Sequence, residues 1–203
     1  MNRKFYQWAV VSVCTLMSAC SWNKEAAQPV VYIEAKPAIT AWVADTEALL
    51  RESIKDSPFT LHQQDNTWVV SAPAQQLFNP DRPDLLLPVV LRPITRLAKV
   101  LEGRPDSAVL ILGHTDVNKD DKINYKLSTG RARAVASIFR LSGLKGTRLT
   151  HLGMGSSFTL STTTNSSTNH RVEIIITPDT HMQDVMALYG PTYNRQLALS
   201  QPQ

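Results

Sequence analysis

Two side chains of opposite charge stand out in this chain: Asp116, in Gly113-His114-Thr115-Asp116, and Arg131, fifteen residues further on. Asn124 lies between them, eight residues past the aspartate. A carboxylate only accepts hydrogen bonds, and a guanidinium donates them in a planar fork. Facing one another across a gap, the two bracket a small zwitterion, the carboxylate taking its ammonium and the guanidinium its carboxylate. Plainer roles exist for both. Asp116 could cap the next turn, and Arg131 could pair with Asp120 or Asp121 at the surface, a contact of small worth. Catalysis finds less support. No Gly-x-Ser-x-Gly elbow occurs, and the acids around Asp116 have no evident partner acid. His114 and Asp116 with His151 or His170 follow none of the usual metal-ligand spacings. His114 reads as a hydrogen-bonded structural residue. The expectation is a binding site with no metal, no cofactor and no enzymatic step.

A strand and a helix must present these residues. Ala108–Leu112 is a continuous apolar run bounded by turn residues, the pattern of a fully buried strand. A strand over 107–112 delivers Asp116 into the polar loop 117–122, in the crevice where α/β sheets hold ligands. Leu127, Ala134, Val135, Ile138, Phe139 and Leu141 predict a helix over about 124–142, carrying Arg131 and capped by Gly143. Arg148–Leu152 and Arg171–Thr177 read as further strands, separated by a tight turn at Gly153–Gly155 and a Ser/Thr/Asn-rich loop over 156–168. Upstream, Thr67–Ser71 is a strand and Leu77–Asp84 a turn-rich loop. Leu85–Glu102 is amphipathic, but Pro88 and Pro93 fall in its front half. A proline inside a helix costs about 3 kcal/mol, so the regular helix is expected after Pro93, stopped by Gly103 and Pro105. Ala38–Ser57 carries an apolar helical face that either packs on its own domain or docks to another protein. Beyond Asp179 only a short amphipathic piece, Met182–Tyr189, is expected. The order β-α-β-α-β-β predicts one α+β domain, a mixed sheet with helices on one face.

Composition sets the outer bounds. At 203 residues, 43% hydrophobic and 19% charged, the chain suits one ordinary globular domain plus tails. A formal charge of +4 without a long Lys/Arg block argues little for nucleic acid, and no nucleic-acid partner is expected. The first residues carry an address. Arg3-Lys4 precedes a mostly apolar stretch from Phe5 to Leu16, and small residues lead to Cys20. This is an export signal, too short for a membrane span, and it resembles a bacterial lipobox in which Cys20 becomes the lipidated first residue. Ser21 after it resembles outer-membrane sorting. Cys14 leaves with the signal and lipid consumes Cys20, so no disulfide is expected. Losing Arg3 and Lys4 leaves 19 basic against 17 acidic side chains, so lipid and not charge holds the protein at the membrane. The chain divides into a signal peptide (1–19), a lipidated tether with an amphipathic helix (20–58), a folded domain (59–179) and a tail (180–203).

From about Phe78 to Ile176 the chain resembles the peptidoglycan-binding domain shared by OmpA, MotB and the peptidoglycan-associated lipoprotein. The pieces are Gly113 to Asp116; Asn124 with Leu127-Ser128; Arg131-Ala132 with Ala134-Val135; Gly153 to Gly155; and Asn169 to Ile174. Each is weak alone, but five in order at the right spacing are specific. The resemblance implies the α+β sandwich of the OmpA C-terminal domain and no catalysis. It also implies a ligand: the diaminopimelate residue of the wall's stem peptide. Asp116 would accept its ammonium and Arg131 would grip its carboxylate. Amides at the start of the 124–142 helix would add anion affinity. Asn124 would fix the loop or bond the peptide, Phe78 and Asn79 would line the pocket, and Arg171 would be a second basic contact or a structural partner for a carboxylate. Departures are His170, where the family often has Arg, a loop over 156–168 shorter than usual and without Gly or Arg, and Lys119 in place of the family's Gly.

Two roles follow from the resemblance. One is an outer-membrane lipoprotein on the periplasmic face that tethers that membrane to peptidoglycan. The other is the wall-anchoring subunit of a multiprotein envelope machine, such as a type IV (Dot/Icm-like) secretion system, with other envelope proteins as partners. The extra helix over 38–57 and the tail beyond 179 favour the second.

Overall fold

The computed structural model describes residues 37–117, 120–162 and 166–200. The export signal, Cys20, the tether up to residue 36 and Lys119 lie outside the described residues. In chain order the elements are α1 (Pro37–Ser53), β1 (Thr60–Gln64), β2 (Thr67–Pro73), a single turn α2 (Ala74–Leu77), α3 (Pro88–Glu102), β3 (Ser107–Gly113), α4 (Asp121–Leu141), β4 (Leu149–Gly153), β5 (Arg171–Pro178) and α5 (Met182–Ser200).

The strands form one mixed sheet in the order β1-β2-β5-β3-β4. Only β3 and β4 run parallel, joined by α4 as the crossover that parallel pairing demands. The expected α+β class with a mixed sheet is what the chain adopts. All seven residues of β3 are buried, as an unbroken apolar run requires. On one face of the sheet Val70, Val109, Ile111, Ile174 and Ile176 meet Leu50 of α1, Ile94, Leu97 and Leu101 of α3, and Val135 and Phe139 of α4. Each such side chain stabilises the fold by roughly 1.5–3 kcal/mol through burial.

The opposite face is covered as well. Val69, Leu110, Leu112, Leu152 and Ile175 pack with Val185, and Met182, Met186, Tyr189 and Tyr193 of α5 close over them. Helices therefore lie on both faces and not on one. The cause is the alternation within β3 and β5, which points apolar side chains both ways and leaves neither face fit for water. The tail accordingly forms a helix of 19 residues that continues past Gly190-Pro191.

Three other differences have local causes. β1 escapes hydrophobic pattern reading because Thr60–Gln64 is a polar edge strand, almost wholly exposed. α3 begins at Pro88, before Pro93. Proline at the first position suits a helix start, and the buried Pro93 ring joins the core, offsetting its one missing hydrogen bond. α1 docks on its own domain. Trp42 Nε1 donates to Ser107 Oγ at 3.1 Å and Trp68 Nε1 donates to the Val43 carbonyl at 3.0 Å.

α4 lies unusually close to the sheet. Gly113 and Gly153 pair across the parallel ladder. A Cβ on Gly113 would stand 2.0 Å from the Ser128 carbonyl oxygen, and one on Gly153 would stand 2.1 Å from Thr129 Oγ1. Backbone cannot yield as a flexible side chain does. We expect Gly113→Ala to destabilise the domain by about 3 kcal/mol in urea unfolding. Gly146→Ala, where nothing lies within 4 Å, should stay within about 0.5 kcal/mol of the parent.

Candidate functional site

Arg131 sits in the middle of α4, 8% exposed, on the side facing α2 and the loop after it. Its Nε donates to the Pro83 carbonyl at 2.9 Å, and its guanidinium carbon stands 5.4 Å from the centre of the Phe78 ring. A carbonyl and an aromatic face hold a cation without neutralising it. Burial lowers the Arg131 pKa to about 10, against the opposing charge of Asp84, so the group stays protonated at neutral pH. Nη1 is buried and has no hydrogen-bond partner among the described residues. The loop beneath is ordered. Phe78 bridges to Leu86, and Asn79 Oδ1 accepts the Asp81 and Arg82 amides at 2.9 and 3.1 Å.

These residues line an open cleft of about 480 Å³ together with Gln75, Leu127 and His170. No carboxylate is among its lining residues. Phe78, Asn79 and Arg131 are thus brought together. Asp116 and Asn124 are not among the lining residues, and neither is Arg171.

Asp116 lies fully buried just beyond β3. Its Oδ1 accepts the Val117 amide and Asn169 Nδ2, each at 2.9 Å. Asn169 is equally buried and ties this carboxylate to a turn. Its Nδ2 also donates to the Ser161 carbonyl at 2.9 Å, while its Oδ1 accepts the Leu160 and Ser161 amides at 2.9 and 3.0 Å. Asn124 is buried in the first turn of α4, where its backbone N–H donates to the Asp120 carbonyl at 2.9 Å.

The start of α4 differs from expectation. Asp120 is the N-cap, and its carboxylate accepts the Lys122 and Ile123 amides at 2.9 and 3.4 Å. The helix therefore begins at Asp121 and its first amides are already satisfied by an internal anion, which removes them as an anion site. Asp120 is a cap, and the carboxylate whose charge acts on Arg131 is Asp84.

Arg171 projects from the other face of the sheet. Its Nε donates to Glu173 Oε1 at 2.6 Å and its Nη1 to the Phe158 carbonyl at 3.0 Å. His114 Nε2 lies 3.2 Å from Glu173 Oε2, and Phe158 sets its ring edge against both His114 and Tyr189. Burial pushes the Glu173 pKa up, but His114 and Arg171 outweigh it and bring the value down to about 2. Burial lowers the His114 pKa, so the imidazole is neutral at pH 7. Pattern reading passed over Asn169, Asp84 and Leu127 as site residues. Asn169 had one signal, a small amide just before a strand that starts beside the site.

Known proteins bear on this geometry. The model described as the OmpA family matches residues 77–173. Outer-membrane lipoprotein YfiB of Pseudomonas aeruginosa is 32% identical over 146 residues, 70% of this chain and 83% of that protein. Probable lipoprotein YiaD of Escherichia coli is 28% identical over 135 residues, 65% of this chain, which spans 61% of YiaD. Peptidoglycan-binding protein ArfA of Mycobacterium tuberculosis is 33% identical over 94 residues, 45% of this chain and 29% of ArfA. A putative MotB-like protein from Desulfovibrio vulgaris shares the fold, with a TM-score of 0.56 and 22% identity across 70% of this chain and 91% of its own. Among the described residues no helix is long and apolar enough to cross a membrane.

The far-face cluster has a pH signature. Glu173, with its depressed pKa, stabilises the fold above the unfolded carboxylate range and loses that contribution as pH falls toward 2. His114, buried neutral, adds stability above the unfolded imidazole value of 6.5 that is lost on acidification below it. Both act in the same direction. The melting temperature should fall as pH drops below about 6.5, and Glu173→Gln should flatten the part of that fall below pH 4.5.

Proposed function

This chain belongs to the OmpA family, and from that premise we propose that it is an envelope lipoprotein that binds peptidoglycan non-covalently through the diaminopimelate end of the stem peptide. The observation that carries this reading is the Arg131 cleft. A cation is fixed there by Phe78 and the Pro83 carbonyl, opens onto a cavity without a lining acid, and keeps one donor unpartnered. An unsatisfied buried donor costs about 1–3 kcal/mol, and a ligand carboxylate removes that cost. Phe78 and Asn79 shape the floor. Asp116 takes the ligand's ammonium, with Asn124 supporting the loop that carries it, and Arg171 acts structurally through Glu173. At about 1.5–3 kcal/mol for each charge-assisted bond, less desolvation, the affinity is micromolar in class. Many copies on a polymeric wall add avidity. The peptidoglycan-binding relative ArfA supports the choice of ligand.

The lipid on Cys20 and the tether after it place this grip at the outer membrane, on the periplasmic face, so that the protein links membrane to wall. YfiB, an outer-membrane lipoprotein by name, supports that location. Membership of an envelope machine, such as a Dot/Icm-like secretion system, would call for a helix over 38–57 and a tail that are free to dock on other proteins. Both α1 and α5 bury apolar side chains against the sheet, so the simple tether is the better supported reading.

Co-sedimentation with isolated diaminopimelate-type peptidoglycan tests the grip. Arg131→Ala and Asp116→Ala should each leave the folded protein in the supernatant, and pelleting of both at the parental level would remove the site. For the anchor, palmitate labelling of cells should be lost in Cys20→Ser, and its persistence would disprove acylation there.

A further inference from the structure

We propose that the outer face of α4, a row of four cations with a large apolar side chain at each end, docks on an anionic phospholipid surface and so turns the Arg131 cleft away from the membrane. The inference goes beyond the ligand of the cleft and rests on the reading of the chain as membrane-anchored. The near-neutral total hides a segregation of charge. From Lys122 to Pro178 the chain carries eight Lys and Arg side chains and one acid, Glu173. Arg171 engages Glu173, Arg148 is spent on the Leu101, Arg104 and Ser107 carbonyls, and Arg131 lies in the cleft. The cations that remain are Lys122, Lys126, Arg133 and Arg140 of α4, and Lys145 just after it.

Helix geometry puts the four on one side. They follow one another at steps of four, seven and seven residues, close to whole turns, and all four are exposed. The row runs for about 27 Å along α4. Ile123, beside Lys122, and Leu141, beside Arg140, are 53% and 84% exposed. They stand eighteen residues apart, a whole number of turns, so both lie on the same flank of the row. Arg131 is nine residues from either end of the row, which places it half a turn out of phase on the opposite side of the helix.

Among the described residues no ion pair involves the row. Arg140 Nη2 lies 3.1 Å from His151 Nδ1, and burial lowers the pKa of that imidazole, with Arg140 and Arg133 adding to the effect as like charges do. Three acids stand near the helix. Asp84 sits beside Gly130 and its charge acts on Arg131, Asp120 is spent on the cap, and Asp121 opens the first turn. Lys122, Lys126 and Arg133 line an open hollow of about 340 Å³ with Tyr125, Thr129 and Gly130, and no acid is among its lining residues. Cations flanked by exposed apolar side chains suit the interface of an anionic bilayer, where headgroups take the charge and the acyl boundary takes the Ile and Leu. The sixteen residues 21–36 span at most about 55 Å, which keeps the row within reach of the membrane that holds Cys20. Lipid holds the protein there, and the row sets which way the domain faces.

Vesicle sedimentation of the exported chain, residues 20–203 with Cys20→Ser, tests the row without the lipid, whose own presence is read by palmitate labelling. The chain should pellet with phosphatidylcholine vesicles that contain phosphatidylglycerol and stay in the supernatant with phosphatidylcholine alone. Salt at about 0.5 M should release it. Lys126→Gln should weaken the association about five-fold, and Gln at all four positions of the row should abolish it. The quadruple variant should melt with the parent and pellet with isolated peptidoglycan as the parent does. Equal association with both kinds of vesicle, association with neither, or retention by the quadruple variant overturns the proposal. Loss of peptidoglycan pelleting by a folded quadruple variant also overturns it, because the row would then face the wall. Failure of the parent to pellet with peptidoglycan removes the cleft reading and leaves the docking of α4 to the vesicle result.

Discussion

The tight seating of α4 on the ends of two parallel strands governs the whole site. Gly113 and Gly153 leave no Cβ in the way, so the helix backbone at Ser128 and Thr129 reaches the strand ends directly. Ser128 Oγ then accepts the Gly155 amide at 3.0 Å, the Thr115 amide donates to the Gly155 carbonyl at 2.8 Å, and the Met154 amide donates to the Gly113 carbonyl at 2.9 Å. Helix, strand end and turn are stitched at one point. Asp116 leaves this point along the chain, and Arg131 lies three residues past Ser128 along the helix. A looser helix would leave both charges without a fixed address, which is the usual way a binding site fails while its fold survives.

Charge is handled in opposite ways on the two faces of the sheet. On the far face Arg171, Glu173 and His114 form a closed chain that also holds the Phe158 carbonyl. Buried ions are stable only when each finds partners, and Arg171 and Glu173 do. Near α4 the arrangement is left open. Arg131 is given a carbonyl and a ring in place of a carboxylate, so its charge remains available. Two arginines of similar burial thus have different meanings, and the difference lies in what each touches.

Much of this was legible in the chain and some was not, for physical reasons. β3 was plain because Ala108–Leu112 is an unbroken apolar run bounded by turn residues, and α4 was plain from its apolar stripe and from Gly143, whose φ of +101° marks the helix end. Helices were expected on one face only, and α5 beyond Tyr189 was not legible because the residues there are mostly polar, while tertiary packing carries the helix through Gly190-Pro191. β1 has no hydrophobic alternation to read, since an edge strand is held by backbone bonds to β2. The resemblance to the peptidoglycan-binding domain, and not spacing, implied that Phe78, Asn79 and Arg131 share one cleft. It could not show that Asp120 would spend its carboxylate on capping, or that Arg171 would face the other way. Strand parity decides the second, and the register of a strand is set by partners far away in sequence.

The position of Asp116 bears on selectivity. Its Oδ1 is occupied by an amide N–H of Asn169. On the proposed reading a ligand ammonium exchanges a neutral donor for a charged one, and charge-assisted bonds are roughly twice as strong as neutral ones. The exchange is favourable only for a ligand that brings such a donor. A simple carboxylate gains Arg131 alone, whereas a zwitterionic amino-acid end gains both. On that reading discrimination comes from the Asn169–Asp116 bond, which only a ligand that brings an ammonium exchanges at a gain.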